Sequence, residues 1–230
     1  MEKPHTVFRN HYSERIGFLC RTINLLEDIY EDSECRDLYV SMEQLESNRV
    51  VIEPIDCRYE VEESIDVFNK YYDIEEIEVG VGDTSFYSLY EYVIDYYRNT
   101  LHYKMLEYSG KTRNSGFEYY MGVLFDGSAF IVEGWSNRVV IPGVKQCLSA
   151  HTHPSPYPIP SRIDLRSISR QLVDRGLAHI IVAYSSSLVI YRVKPLTIND
   201  LELLKEIEGL DPPEVLRIIS KTDSIRIRYI

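Results

Sequence analysis

The feature that most restricts this chain is His151-Thr152-His153-Pro154, followed by Ser161 and Asp164. Written as a pattern it is H-x-H-P-x6-S-x2-D. Between its halves lies Pro154-Ser155-Pro156-Tyr157-Pro158-Ile159-Pro160, with proline at four of seven positions. Proline fixes φ and has no amide hydrogen, so this segment reads as a stiff loop. The residues before it, Gln146–His153, read as a strand. Those after it, from Arg162 to about Arg175, read as a helix with Ile163, Leu165, Ile168, Leu172 and Val173 on its apolar side and Gly176 as its C-cap.

This order predicts a site. Side chains two apart on a strand share a face, so His151 and His153 present both imidazoles to one side. The stiff loop then returns the chain, and Asp164, in the first turn of the helix, can swing back to them. Two imidazoles and a carboxylate fill three corners of a tetrahedral zinc site and leave the fourth open, as in hydrolytic rather than structural zinc. One aspartate and two neutral histidines leave a net positive charge, which lowers the pKa of a coordinated water towards ~7. Ser161 falls where it can touch whatever occupies the fourth corner.

Each piece alone has an ordinary explanation. A lone H-x-H on a strand is usually not a metal site. Ser161-x-x-Asp164 is also a good helix start, with a serine N-cap and an acid three residues on, and that structural role is expected here as well. The joint pattern should arise by composition only roughly once in a thousand chains of this size.

The pattern resembles the motif of the JAMM (MPN+) zinc metalloprotease family, and the resemblance covers roughly residues 84–195. It implies an α/β, cytidine-deaminase-like fold: a mixed sheet flanked by helices. It also implies hydrolysis of peptide or isopeptide bonds, removal of ubiquitin or a ubiquitin-like modifier being one form of that chemistry. His151, His153 and Asp164 would bind Zn2+. The family's upstream glutamate is best matched by Glu118, near the start of a strand; Glu133, on the next strand, is the runner-up. Glu118 would take a proton from water and return one to the leaving amine, and the Ser161 hydroxyl would donate to the developing oxyanion. Many members have a glycine three residues after the glutamate; here Gly122 is four after, a spacing more like the RadC-like branch. The span from Glu118 to His151 reads as strands, so the loops with which deubiquitinating members grip a modifier's tail are not evident. Two alternatives stand beside the peptidase: a RadC-like protein associated with DNA metabolism, and a non-catalytic MPN scaffold.

Elsewhere the sequence predicts a small N-terminal α+β unit over 1–80, the metalloprotease-like domain over 81–195, and C-terminal helices and a strand over 196–230. Phe18–Tyr30 and Val61–Tyr72 have helical spacing; Asp37–Val40 and Arg49–Ile55 read as strands. Asp73–Asp83 reads as a linker, its acidic cluster as a solvated strand edge. One long helix is expected from a cap at Asp83 or Thr84 to about Tyr108, then a loop over Ser109–Gly116. Strands follow at Phe117–Phe125 and Ser128–Trp135, joined by Asp126-Gly127, with a short one at Arg138–Ile141. Ala178–Tyr184 and Leu188–Val193 read as a hairpin. His179 reads as a packed or surface residue rather than a ligand, and Trp135 as packing or groove.

The formal net charge of −11 argues against a nucleic-acid surface. A protein or peptide substrate is expected, with no nucleic acid. The four cysteines, Cys20, Cys35, Cys57 and Cys147, form no C-x-x-C pair and are expected to be reduced and mostly buried, in a cytoplasmic protein. No signal-like start and no apolar run long enough for a membrane are seen.

Overall fold

The structure, a computed structural model, describes residues 5–134, 143–207 and 210–230. It is a mixed α/β fold with two sheets. The chain forms two compact units. One is Phe18–Val93; the other joins the segment ending at Gly17 to Ile94–Ile230.

The unit Phe18–Val93 holds most of helix α1 (His11–Asp32), then β2 (Asp37–Val40), α2 (Met42–Glu46), β3 (Val50–Ile55), α3 (Val61–Tyr72), β4 (Ile77–Val79) and β5 (Thr84–Ser85). Its sheet runs β4-β3-β2-β5. β4 lies parallel to β3 at the sheet edge, where Arg49 pairs with Glu76 and Glu78. Asp73–Asp83 is therefore partly strand rather than linker, and the acidic cluster is a strand edge. Helix α1 begins seven residues earlier than Phe18, because the Asn10 side chain accepts from the amides of Tyr12 and Ser13 and caps it.

Cys35 and Cys57 are joined by a disulfide across 22 residues, while Cys20 and Cys147 are free and buried. This corrects the expectation that all four are reduced. The two half-cystines are distant in sequence and carry no spacing signal; only the pairing of β2 with β3 brings them together.

The other unit carries a seven-stranded sheet in the order β1-β7-β6-β8-β9-β10-β11. Its strands are β1 (His5–Phe8), β6 (Tyr119–Leu124), β7 (Ala129–Glu133), β8 (Gln146–Thr152), β9 (Ala178–Val182), β10 (Ser187–Arg192) and β11 (Ile225–Tyr229). β1 pairs antiparallel with β7, so these first residues belong to this unit and not to an N-terminal 1–80 unit. The expected long helix from Asp83 is two, α4 (Ser88–Thr100) and α5 (His102–Ser115). The break falls where the Thr100 hydroxyl bonds back to the Tyr96 carbonyl. Helix α5 covers the segment expected as loop and stops at Gly116, whose φ of 74° suits a left-handed C-cap.

Asp126-Gly127 makes the expected turn between β6 and β7, with Gly127 at φ 85°. β9 and β10 form the expected hairpin. Helix α6 (Arg162–Val173) crosses from β8 to the parallel β9, and α7 (Ile198–Glu206) and α8 (Pro212–Ile219) precede β11. The C-cap of α6 is Asp174 rather than Gly176, and Arg175 takes the positive φ. Leu165, Ile168 and Leu172 of α6 pack with Ile181, Leu188, Ile190, Leu204, Val215 and Ile225 into one apolar core. Among the described residues no helix is long and apolar enough to cross a membrane. Trp135 and Arg138–Ile141 lie outside the described residues.

The disulfide gives a direct check. Under denaturing, non-reducing conditions two thiols per chain should react with a thiol reagent, and four after reduction. Cys35→Ser should lower stability by roughly 3 kcal/mol, the loop-closure value for a ring of this size, measured by urea unfolding.

Candidate metal centre

β8 lies between β6 and β9, and all seven of its residues are buried. A strand covered on both faces has little freedom to move, so the side chains at its end are held firmly. Its two faces point at different helices. The Thr152 hydroxyl meets Thr112 of α5 at 2.6 Å and accepts from the Tyr119 amide at 2.8 Å. His151, one residue earlier, faces the opposite side, towards α6. His153 follows the strand and is still tied to β9, its amide donating to the Val182 carbonyl at 2.9 Å. The two imidazoles thus lie on one side, with ring centroids 4.7 Å apart, at the carboxyl ends of a parallel strand pair. That position is where open α/β sheets gather their ligands.

Asp164 comes to them from the first turn of α6. Ser161 and Asp164 form a full capping box: the Ser161 amide donates to Asp164 Oδ2 at 2.6 Å, and the Asp164 amide donates to Ser161 Oγ at 3.2 Å. The predicted helix start is present, and it fixes the carboxylate. Asp164 Oδ1 stands 3.4 Å from His151 Nε2, and Oδ2 stands 3.3 Å from His153 Nε2. One ligand atom from each of the three residues lies within 4.8 Å of the others.

The chemistry of this group fits a metal ion. His151 is only 4% exposed, and its Nε2 has no hydrogen-bond partner although it faces a carboxylate oxygen. A buried nitrogen in that state is costly unless something fills the gap. Asp164 is held far below the usual carboxylate range. Burial opposes this, but the neighbouring imidazoles of His151 and His153 and the Ser161 side chain outweigh it. The group is therefore a fixed anion beside two ring nitrogens, and it could hold a metal ion.

Glu118 immediately precedes β6, which pairs antiparallel with β8 so that Tyr120 faces His151. Extending that register by two residues sets Glu118 opposite His153, on the same face as both imidazoles. Its carboxyl is pushed upward by burial first; the nearby His151 and His153 pull it down, and Asp164 raises it. Glu133, the other candidate, sits on β7 opposite Tyr119 and accepts from the Tyr119 hydroxyl at 3.0 Å. That places it on the face of the sheet turned away from the imidazoles. Ser161 is exposed at the rim, its Oγ an acceptor from the Asp164 amide and its side chain also a partner of the Asp164 carboxylate.

One participant was not legible as such. His179 is 2% exposed, and its Nε2 meets His151 Nδ1 at 2.7 Å. It is packed in the core, and it packs on a candidate ligand. Burial foremost, then the neighbouring His151, lowers its pKa well below the ordinary histidine value, so the ring is neutral. The only signal in sequence was a histidine on the strand after α6, and nothing in that position shows that parallel pairing sets it beside Ser149 and His151. His102 lies elsewhere in the core, between the Tyr97 hydroxyl and Ser187, and is pushed down to about 4 by burial and Arg98.

No known family model matches this chain, and no curated protein matches its sequence.

Two outcomes check this geometry. Asp164→Asn keeps an acceptor for the Ser161 amide and removes the anion, so helix content should persist while divalent-metal affinity falls by ~100-fold in a competition titration. Glu118 bears a raised pKa, so its ionisation costs stability above about pH 4.5, the ordinary value. In metal-free protein Glu118→Gln should therefore raise Tm at pH 7 and leave it unchanged well below pH 4.5. An equal shift at both pH values would show that the gain comes from packing.

Proposed function

We propose that this protein is a zinc-dependent peptidase or isopeptidase of the JAMM type. The observation that carries the reading is the convergence of His151, His153 and Asp164, with Glu118 beside them and Ser161 at the rim. Donor atoms on a tetrahedral zinc ion are about 3.4 Å apart, given zinc–nitrogen and zinc–oxygen distances near 2.1 Å. The separations of 3.4 Å from His151 Nε2 to Oδ1 and 3.3 Å from His153 Nε2 to Oδ2 are close to that edge, each to a different oxygen of the carboxylate. Two nitrogens and one oxygen also match the donor types zinc prefers, and a set of three leaves room for a fourth ligand. The mixed sheet, with helices on opposite faces of β8, is compatible with the JAMM fold.

In this reading His151, His153 and Asp164 hold the ion. Zinc would supply Lewis acidity, making a water easier to deprotonate and a carbonyl easier to attack. Glu118 takes the proton. Its raised pKa makes it a better base than an ordinary surface glutamate, and the protonated form can then pass the proton to the departing amine. The Ser161 hydroxyl turns its proton to the oxygen on which charge develops. The capping box holds that hydroxyl beside Asp164, so positioning the base of the helix and positioning the oxyanion donor are one task. The bond cleaved is an amide between a carboxyl carbon and an amine, whether an α-amine or a lysine ε-amine, as in a ubiquitin-like conjugate.

The reading is tested with peptide and lysine-linked isopeptide substrates on zinc-loaded protein. Cleavage should stop with a chelator and return with zinc. Glu118→Gln should keep the metal and lose about 10²–10⁴-fold in kcat, and Ser161→Ala about 10²-fold. Full activity in Glu118→Gln would overturn the assignment. Bound zinc with no cleavage of any substrate would favour a scaffold.

A further inference from the structure

The hydrogen bonds behind His151 form a chain whose direction is determined at its far end. Gln171 of α6 donates from Nε2 to the Ala178 carbonyl at 3.0 Å. A backbone carbonyl can only accept, so the nitrogen end of this amide must face it, and Oε1 must face Ser149. Ser149 Oγ lies 2.5 Å from that Oε1, which also only accepts, so the serine's single proton goes there. Ser149 Oγ lies 2.6 Å from His179 Nδ1 and can now only accept from it. His179 is 2% exposed, and its ring nitrogens meet a serine oxygen and another imidazole rather than an acid, so a second proton would bury a cation without a counter-charge; the ring has its proton on Nδ1 and a bare Nε2. That bare Nε2, 2.7 Å from His151 Nδ1, requires His151 to donate. A neutral His151 ring then carries its proton on Nδ1, and its Nε2 lone pair faces Asp164.

We infer that His179 is a positioning residue, the middle link of a Gln171–Ser149–His179 relay that fixes His151 in the tautomer with a bare Nε2. The inference rests on the metal reading for its purpose, but the tautomer is a property of the protein alone. It explains which nitrogen is left for an ion: Nδ1 is committed to His179, while Nε2 has no hydrogen-bond partner. It also explains where the chain is anchored. Ser149 and His179 are directly paired across β8 and β9, two residues before His151 and its partner Ile181, so all three side chains share the face covered by α6. Gly176 leaves room for the amide: a Cβ there would come within 2.5 Å of Gln171 Cγ and 2.8 Å of the Gln146 carbonyl oxygen. Ligand histidines are commonly held in this way through the ring nitrogen that does not bind the ion, and loss of such a partner costs ~10–100-fold in metal affinity.

The first arm of the test uses metal-free protein with 15N-labelled histidine and long-range 1H–15N correlation at pH 8. His151 should show a protonated Nδ1 and a bare Nε2, and His179 a protonated Nδ1; a protonated His151 Nε2 would overturn the relay. The second arm titrates zinc against a chelator and records the visible spectrum of the cobalt(II) form. His179→Leu should bind zinc ~10–100-fold more weakly with an altered cobalt spectrum, whereas His179→Gln, whose amide oxygen can accept from His151, should stay within a few-fold of wild type. Unchanged affinity and spectrum in a folded His179→Leu would overturn the role. Should that variant not fold, Ser149→Ala removes the next link and must weaken zinc for the relay to stand. Wild-type protein with the expected tautomer but no affinity for zinc would overturn the metal reading and leave the tautomer assignment in place.

Discussion

His151 Nε2 and Asp164 Oδ1 face each other across 3.4 Å without a hydrogen bond, and His153 Nε2 faces the other oxygen of the same carboxylate across 3.3 Å. Electron-rich atoms in that arrangement repel one another unless a cation or a proton lies between them. Asp164 is held ionised, so what lies between them is an imidazole proton or a cation. Much of the surrounding structure acts to keep these atoms together. β8 is enclosed by neighbours on both edges, the Thr112–Thr152 contact secures its end from the other face, and the capping box of α6 sets the carboxylate. Enforced convergence of this kind has an energetic cost that ordinary core packing would not incur, which is the physical argument for a bound ion.

Asp164 has two roles, and they do not conflict. As the N3 residue of a helix it accepts from the Ser161 amide with Oδ2 and suits the positive end of the helix dipole. As a ligand candidate it presents Oδ1 to His151. The structural explanation of Ser161-x-x-Asp164 and the functional one therefore describe the same atoms. The proline-rich segment between strand and helix serves both, because it limits where α6 can begin relative to the end of β8.

The local parts of this arrangement were legible in sequence because each depends on short-range chemistry. Asp37–Val40 and Val61–Tyr72 fall at the bounds their periodicity predicts, Asp126-Gly127 turns as such dipeptides do, and the H-x-H strand and the Ser161 cap lie where spacing put them. What escaped was set at a distance. The break at Thr100–Leu101 leaves the apolar periodicity of α4 and α5 uninterrupted, so the pair reads as one helix. β4 is acidic and short and forms only by parallel pairing with β3. The Cys35–Cys57 bond and the place of β1 beside β7 likewise follow from strand pairing between residues far apart in the chain. His179 belongs to the same class: its neighbours in sequence are apolar, and its importance comes from the strand beside it.

The account is tested most directly by zinc K-edge X-ray absorption on the zinc-reconstituted protein. It predicts about four nitrogen or oxygen neighbours near 2.0–2.1 Å, with the outer-shell scattering of two imidazoles and no sulfur. A sulfur neighbour would place the ion at a cysteine. A shell of about six oxygens without imidazole would mark surface carboxylates. Either result would contradict the assignment of His151, His153 and Asp164 as the metal centre.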